Sequence, residues 1–470
     1  MNWLWRQIYR QYRLFSWVQH TAGRRLTPAG AVVLFCLVLT LLLGVNRESM
    51  VSYQAITLLL FLALAAPLAA LFFRVKVGVT RALPRFGTVG QTMHYPVLVK
   101  NLTTKPQAGL VLMEDVTDPR PAFPEWLAQK QAEQQSMRPF WLSGRPRSVP
   151  VSVARLRAAP LPSLPPGRTV EAGVELTPLR RGVLSLDGAT VGRTDPFGLF
   201  RGLIKIPAPG KMLVLPRRYP LPPLAMGGSL KYQDGGVALA ANVGQSDEFV
   251  ALRDYRHGDP LRHIHWRSWA RTGKPIVKEF EDEFFVRHAL VLDTFAGQGN
   301  AELFEEAVSV AASFACTIQT QESLLDLLFV GAEAYCFTAG RGLAHADQML
   351  EILAAVRPAP RAPAPDADQM TPFLKRMLSG DAGIKTFADL EHLVINHAAL
   401  VSNCICIFLA WDEPRRRLVE KLKAAGVPVL AVVLVAEAPK VPLDPGPLRD
   451  EPHCFHTLVL GKIEAGLQRL

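Results

Sequence analysis

Two long apolar runs near the start of the chain dominate its hydrophobic pattern. The first covers residues 28–45 and the second residues 55–73, and neither contains a charged side chain. Nineteen helical residues extend about 28 Å, close to the roughly 30 Å of a bilayer's hydrocarbon core. Only residues 46–50 connect the runs before the second helix begins. The pattern therefore predicts a two-helix transmembrane hairpin over residues 27–73.

Two other interpretations of the apolar runs are a cleaved signal peptide and a pair of buried core helices. A signal peptide fits poorly, because about 27 residues precede the first run and a second run follows at once. Neither run has the polar stripe of a helix that packs in a soluble domain. The hairpin is the favoured interpretation.

The segment 1–26 interleaves aromatic and basic side chains ahead of the first run. Its aromatic residues include Trp3, Trp5, Tyr9, Tyr12, Phe15 and Trp17, and its arginines are Arg6, Arg10, Arg13, Arg24 and Arg25. Such a mixture is typical of a helix that lies among lipid headgroups. The alternative is a short, partly ordered tail.

The net charge of +11 first suggests nucleic acid as a partner, but its distribution changes that interpretation. Residues 1–90 contain ten basic side chains and one acidic one, so they carry +9, and the remaining 380 residues carry only +2. Basic residues flank both ends of the predicted hairpin, which places both flanks in the cytoplasm by the positive-inside rule. We expect no nucleic-acid partner; the lipid bilayer is the partner that this charge indicates.

Residues 74–215 show the alternating pattern of short β-strands. Apolar and polar positions alternate over 95–100, 110–113 and 170–176, and Gly, Pro and Asn separate these runs. A Pro-, Ser- and Arg-rich stretch, 140–168, indicates a long loop or an elaboration at a sheet edge. The spacing predicts an all-β domain, an immunoglobulin-like sandwich.

Residues 286–470 alternate between predicted strands and helices. The strands are expected at 288–293, 323–330, 334–337, 404–410 and 428–435, and the helices at 301–320, 346–356, 374–378, 387–401 and 414–425. Strands separated by helices of this length form an α/β doubly wound, mostly parallel sheet. Asp293 and Asp412 end two of these strands, where such sheets bind ligands. Two such carboxylates could hold a divalent cation such as Mg²⁺. The favoured interpretation is that both carboxylates cap the helices that follow.

Residues 216–285 contain a linker and the densest chemistry of the chain, an Arg-rich motif over 253–271. The motif residues that we expect to form an interaction or interdomain site are Arg253, Asp254, Tyr255, Arg256, Gly258, Asp259, Arg262, Trp266 and Arg271. Asp259 followed by proline predicts a helix start, and Gly273 a helix end.

Three interpretations of the Arg-rich motif remain open. Arginines among aromatic residues suit nucleic-acid binding, although neighbouring acids offset their charge. The histidines His257, His263 and His265 could bind a metal with Asp254 or Asp259. Arginine forks could also clamp the β domain to the α/β domain, and the same surface could bind a partner.

The Arg-rich motif resembles that of the domain-of-unknown-function-58 family, bacterial membrane proteins whose genes often neighbour those of MoxR-type AAA+ ATPases. Similar motifs occur at Asn101, at 181–182 and at 195–200, and the strand that ends in Asp293 is similar as well. The resemblance implies a C-terminal domain similar to von Willebrand factor type A. That fold often binds metal at an Asp-x-Ser-x-Ser site, whose serine positions are Phe295 and Gly297 here.

The resemblance implies a bacterial inner-membrane protein with two spans and both termini in the cytoplasm. We expect a non-enzymatic scaffold that works with a MoxR-type ATPase, and with other proteins of its operon, in assembly or remodelling of an envelope complex. No catalytic residues are predicted, because spacing alone defines no catalytic constellation. The alternative is a metal-dependent hydrolase or metal-binding switch that uses Asp293 and Asp412.

Overall fold

The chain forms two compact units, Met1–Arg217 and Arg218–Leu470. The computed structural model describes residues 2–43, 50–117, 120, 123, 126–127, 152–222, 249–257, 259, 261–280, 286–295, 301–318, 323–340, 346–359, 385–439 and 441–470.

Three helices begin the first unit. They are α1 (Asn2–Arg25), α2 (Pro28–Leu43) and α3 (Met50–Leu71). Within the described chain, Tyr53–Leu71 of α3 is the one segment long and apolar enough to cross a membrane, and the apolar part of α2, Pro28–Leu42, is shorter. Thr40 and Thr57 donate hydrogen bonds to carbonyls four residues earlier, which satisfies their hydroxyls inside apolar helices. The predicted connection at 46–50 lies outside the described residues except for its last residue.

The first unit continues as strands arranged in two sheets. The strands are β1 (Val77–Arg81), β2 (Phe86–Thr88), β3 (Met93–Asn101), β4 (Leu110–Val116), β5 (Ala154–Leu156), β6 (Ala159–Pro160), β7 (Thr169–Pro178), β8 (Gly182–Thr194) and β9 (Arg201–Leu215). One sheet has the order β1-β3-β7-β5 and is antiparallel. The other has the order β2-β9-β8-β4-β6, in which only the β2–β9 pair is parallel.

The two sheets of the first unit bury their side chains in one cluster. Val97 of β3 and Val174 of β7 come from the first sheet, and Leu112, Leu184 and Val214 come from the second. The alternation of buried and exposed residues along β3 follows the sequence pattern. Both β5 and β6 are edge strands, so the second half of the Pro-rich stretch elaborates sheet edges as predicted. This unit is therefore β-rich, as expected.

The second unit begins with a hairpin and continues as an α/β sheet. The hairpin strands are β10 (Phe249–Asp254) and β11 (Ile276–Phe280), with α4 (Trp266–Thr272) between them. The sheet strands are β12 (Val286–Leu292), β13 (Ser323–Val330), β14 (Ala334–Ala339), β15 (Asn403–Phe408), β16 (Val429–Val435) and β17 (Phe455–Val459). The helices among them are α5 (Ala301–Thr317), α6 (Ala346–Ala355), α7 (Phe387–Ala398), α8 (Glu413–Ala424) and α9 (Ile463–Leu467).

The strand order of the second sheet is β14-β13-β12-β15-β16-β17, with β14 antiparallel and the others parallel. Ala289 in β12 pairs with Asp326 of β13 on one side and with Cys404 of β15 on the other. The order reverses between β12 and β15, so the carboxyl ends of these two strands form the topological switch point. Asp293 and Asp412 follow these two strands, as the sequence predicts. The predicted helix 374–378 lies outside the described residues.

Candidate functional site

Arg253 and Asp259 hold the Arg-rich motif in a closed turn. Both terminal nitrogens of Arg253 donate to the two oxygens of Asp259, at 2.7 and 2.8 Å. The backbone N–H of Arg256 donates to the same carboxylate at 2.8 Å. These bonds from Arg253 and Arg256 lower the pKa of Asp259 to about 2. Asp259 is thus a carboxylate that organises the turn, and Gly258 lies outside the described residues.

The predicted helix start at Asp259 is wrong. A 3-10 turn, Leu261–His263, comes first, and α4 begins only at Trp266. The described hydrogen bonds of the Asp259 carboxylate come from Arg253 and Arg256. His265 precedes α4, and its backbone N–H donates to Ile276 of β11 at 2.8 Å. The predicted helix end is confirmed, because Gly273 adopts φ 71° and donates to the carbonyl of Trp269.

The side chains that the motif exposes are basic and aromatic. We call Arg256, Arg262, Trp266, Arg267 and Arg271, all exposed, the motif surface. Trp266 is 64% exposed and stacks on Trp269 with ring centroids 5.2 Å apart. Asp254 is also exposed, whereas Tyr255 is half-buried and donates its backbone N–H to Pro275. A flat indole beside several guanidinium groups suits the recognition of an acidic protein surface.

The histidines of the motif do not form a metal site in the described part of the chain. Nδ1 of His265 lies 2.6 Å from Oγ of Ser268, which engages that ring nitrogen. Across the described ranges, no three His, Cys, Asp or Glu side chains lie close enough together to hold a metal ion.

Asp293 is fully buried at the end of β12 and receives several hydrogen bonds. Its Oδ1 accepts the backbone N–H of Phe295 at 2.9 Å. Its Oδ2 accepts the backbone N–H of Leu409 at 3.1 Å and Nε of Arg415 at 2.8 Å. Burial raises the pKa of the Asp293 carboxyl, and the positive charge of Arg415 opposes that rise. Arg415 is therefore the cation that accompanies this buried acid.

Arg415 also binds the second predicted ligand, Asp412. Its Nη1 lies 2.5 Å from Oδ2 of Asp412, and its side chain is only 7% exposed. The guanidinium lies 4.7 Å from the ring centroid of Phe387. Asp412 in addition caps α8, where its side chain accepts from the N–H of Arg415, as the capping interpretation predicts.

The structure thus brings Asp293 and Asp412 to one place and fills the position between them with a guanidinium. We call Asp293, Asp412 and Arg415 the strand-end site. As it stands, this arrangement does not fit a divalent cation, because the guanidinium of Arg415 already contacts both carboxylates. The metal prediction stays a prediction. Sequence reasoning missed Arg415, which is the first of three consecutive arginines in α8.

Other predicted family positions organise turns. The amide of Asn101 is buried and donates to the carbonyls of Lys105 and Leu164, at 2.9 and 3.0 Å. Oδ1 of Asp195 accepts the backbone N–H groups of Leu199 and Phe200, at 2.7 and 2.8 Å. These polar groups fix the backbone conformation of their loops.

The loop 195–200 contacts the junction between α1 and α2. The hydroxyl of Thr27 donates to the carbonyl of Gly198 at 2.7 Å, and its N–H donates to the carbonyl of Leu199 at 3.1 Å. Gly30 in α2 approaches the same carbonyl of Leu199 so closely that an added Cβ would lie 2.1 Å away. This loop therefore fastens the β-sheets to the apolar helices. Nothing in the sequence pattern pointed to Thr27.

Known proteins are similar to the central part of the chain. The family described as "Protein of unknown function DUF58" matches residues 251–387, which include the Arg-rich motif and Asp293 but not Arg415. The "Uncharacterized protein YeaD" of Bacillus subtilis is 30% identical over 126 residues, which are 26% of this chain and 31% of that protein. The chain thus matches about a third of the length of this curated relative.

Similarity to solved structures is weak. A β-glucosidase from Listeria innocua is 13% identical, with a TM-score of 0.15, and the match covers 30% of this chain and 17% of that one. A cohesin module from Clostridium perfringens is 14% identical, with a TM-score of 0.16, and the match covers 30% of this chain and 98% of that one. At such scores no argument about fold rests on these two proteins. The family resemblance predicted from the motif is confirmed over residues 251–387, which we call the DUF58 segment after the family model that matches them.

Proposed function

We propose that this protein is a membrane-anchored, non-enzymatic scaffold whose motif surface binds a protein partner. The observation that carries the proposal is that some side chains of the motif hold its turn closed while others are exposed to solvent. Arg253 and Asp259 close the turn, while Arg256, Arg262 and Arg271 remain exposed around a 64% exposed Trp266. Exposed arginine and tryptophan side chains on a rigid turn are the residues that most often dominate protein interfaces.

The partner that we propose is a MoxR-type AAA+ ATPase, acting in assembly or remodelling of an envelope complex. This choice rests on the family resemblance of the DUF58 segment. Two membrane spans, with both flanks in the cytoplasm, would place the motif surface in the compartment of such an ATPase. The apolar helices α2 and α3 and the basic residues around them support that topology.

The finer fold assignments belong to the same proposal. Two sheets that share one core support an immunoglobulin-like sandwich for residues 74–215. A six-stranded sheet with one antiparallel edge strand supports a von Willebrand factor type A-like domain for residues 286–470. The alternative, a metal-dependent hydrolase or switch, is disfavoured because the guanidinium of Arg415 already forms ion pairs with both Asp293 and Asp412.

Co-purification from detergent extracts tests the scaffold proposal. We expect Arg256→Ala combined with Arg271→Ala to abolish recovery of the ATPase, because both side chains are exposed and hold no part of the turn. Arg417→Ala combined with Arg449→Ala removes the same charge from exposed sites in the same unit and should leave recovery unchanged. Circular dichroism checks that each variant folds. Absence of any ATPase from the wild-type extract would refute the proposal.

A further inference from the structure

We infer that α1 forms a binding site for the headgroup of an anionic phospholipid. The site is a cleft of about 680 Å³ between α1 and two residues that follow β4, Arg120 and Phe123. The residues that line the cleft are Arg6, Tyr9, Arg10, Arg13, Leu14, Trp17, Arg120 and Phe123. The inference rests on the membrane location in the proposed function, but it concerns a different unit from the motif surface.

Aromatic side chains on one face of α1 pack against Phe123 and Trp126, two residues that follow β4. The rings of Trp5, Tyr9 and Tyr12 lie within 5.3 to 6.0 Å of the buried ring of Trp126. The ring of Tyr9 also lies 5.3 Å from that of Phe123. These contacts fix the rotation of α1 about its axis, so its remaining faces have defined directions.

Arginines form the second face of α1 and converge on the cleft. Arg6, Arg10 and Arg13 follow the spacing of one helical face. Arg6 lies 5.9 Å from the ring centroid of Phe123, and Nη1 of Arg120 lies 3.5 Å from the carbonyl of Arg13. The cleft thus presents four guanidinium groups, and none of its described lining residues is acidic. Guanidinium forks match the oxygen geometry of a phosphate group.

The third face of α1 is apolar and exposed. Leu4, Ile8, Phe15 and Val18 lie on one side of the helix and are 40% to 72% exposed. An exposed apolar stripe of this kind suits the boundary between headgroups and acyl chains. Arginines beside such a stripe could bind a phosphate while the acyl chains cover the apolar side chains.

The chain connection brings this cleft close to the apolar helices. Only Leu26 and Thr27 separate α1 from α2, and Thr27 is fastened to the loop 195–200. The sequence has no acidic residue before Glu48, so every charged side chain of α1 itself is basic and attracts anions. Charge, apolar surface and position together favour an anionic phospholipid over a free phosphate, which needs no apolar face.

Native mass spectrometry of the full chain in detergent tests this site, with phosphatidylglycerol and phosphatidylcholine as probes. We expect the wild type to retain phosphatidylglycerol preferentially. Replacing Arg6, Arg10 and Arg13 together by Gln should weaken its retention about 100-fold, because each basic residue near an anionic surface contributes roughly a factor of five. The matched control replaces Arg157, Arg417 and Arg449 by Gln, an equal loss of charge at exposed sites, and should retain the lipid.

Several outcomes would overturn the inference. Equal retention by the Arg6, Arg10 and Arg13 variant is one, and equal loss in the control variant is another. Competition by inorganic phosphate at the concentration of the lipid would assign the cleft to free phosphate. The variant with Arg6, Arg10 and Arg13 replaced by Lys keeps the charge and controls for misfolding caused by substitution at these positions. It should retain more lipid than the Gln variant. Extraction of the wild-type chain from membranes by alkaline carbonate would instead refute the membrane location.

Discussion

Arg415 shows how one side chain can take over a role that the sequence suggested for a metal ion. Two aspartates at neighbouring strand ends place two negative charges at the switch point of the sheet, and one of them, Asp293, is fully buried. A buried carboxylate needs a compensating cation. Arg415 supplies it with two nitrogens on Asp293 and one on Asp412.

Removal of that guanidinium should destabilise the second unit. We expect Arg415→Met to cost about 3–5 kcal/mol, because it leaves the buried carboxylate of Asp293 without its compensating cation. The double variant with Asp293→Asn and Arg415→Met should be less destabilised than the Arg415→Met variant, because its buried amide carries no charge. Urea unfolding, monitored through hydrogen exchange in β12 and β15, measures the free energy of unfolding of both variants. Arg417→Met, at a 64% exposed site, is the control and should change stability by less than about 0.5 kcal/mol.

The same contacts predict that the strand-end site is stable without a metal ion. We expect neither Mg²⁺ nor EDTA to change the hydrogen-exchange protection of β12 and β15 in the wild-type chain. A cation would have to displace Arg415 from both carboxylates to bind there. This prediction would be contradicted if Mg²⁺ increased the protection of the wild-type chain and had no such effect on the Asp293→Asn variant.

At the residue scale, the sequence predicted where a residue lies in the fold better than it predicted which side chains contact that residue. The rule about strand ends located Asp293 and Asp412 correctly at one edge of the sheet. It could not identify Arg415, since three consecutive arginines in α8 look alike and only the fold shows which one points inward. Asp259 is the opposite case: its sequence context resembles a helix cap, but Arg253, six residues earlier, binds its carboxylate.

At the element scale, the loop 195–200 and α2 depend on a close backbone approach at Gly30. We expect Gly30→Ala to destabilise the first unit by about 1–3 kcal/mol, because its Cβ would lie 2.1 Å from the carbonyl oxygen of Leu199. Thermal unfolding of the full chain in detergent, with hydrogen exchange in β9, measures the loss.

Gly23 in α1 offers a matched control for that substitution. A Cβ at Gly23 meets nothing within 4 Å, and alanine is the better helix former. Gly23→Ala should therefore leave stability unchanged or raise it by up to about 1 kcal/mol. An equal loss of stability in both variants would show that the contact with Leu199 does not matter.

Elements with a strong periodic pattern were predictable, whereas elements defined by distant contacts were not. The fully buried strands β13 and β15 appear in the sequence as apolar runs between helices. The last strand, β17, escaped prediction because its burial pattern is mixed. The contact of Thr27 with the loop 195–200 joins residues 171 positions apart, and periodicity carries no information about such pairs.

For the whole molecule, the uneven distribution of charge predicts the orientation in the membrane. Residues 1–90 carry +9 and the remainder +2. Nine of the ten basic side chains in this part lie on the flanks of the two apolar runs, and the connection between the runs holds one arginine, Arg47, beside one acid, Glu48. Ionic attraction to anionic lipids and the cost of moving arginines across a bilayer both favour keeping these flanks inside. This argument supports the proposed two-span topology with both termini in the cytoplasm.

Labelling with a membrane-impermeant thiol reagent tests that topology in intact cells. In a chain whose native cysteines are replaced by serine, we expect Asn46→Cys to react, because the residue lies in the predicted outside loop. Arg85→Cys lies beyond the second run and should react only after the cells are permeabilised. Reaction of Arg85→Cys in intact cells would invert the predicted orientation. It would also separate the motif surface from any cytoplasmic ATPase, so this one measurement constrains both the topology and the proposed partner.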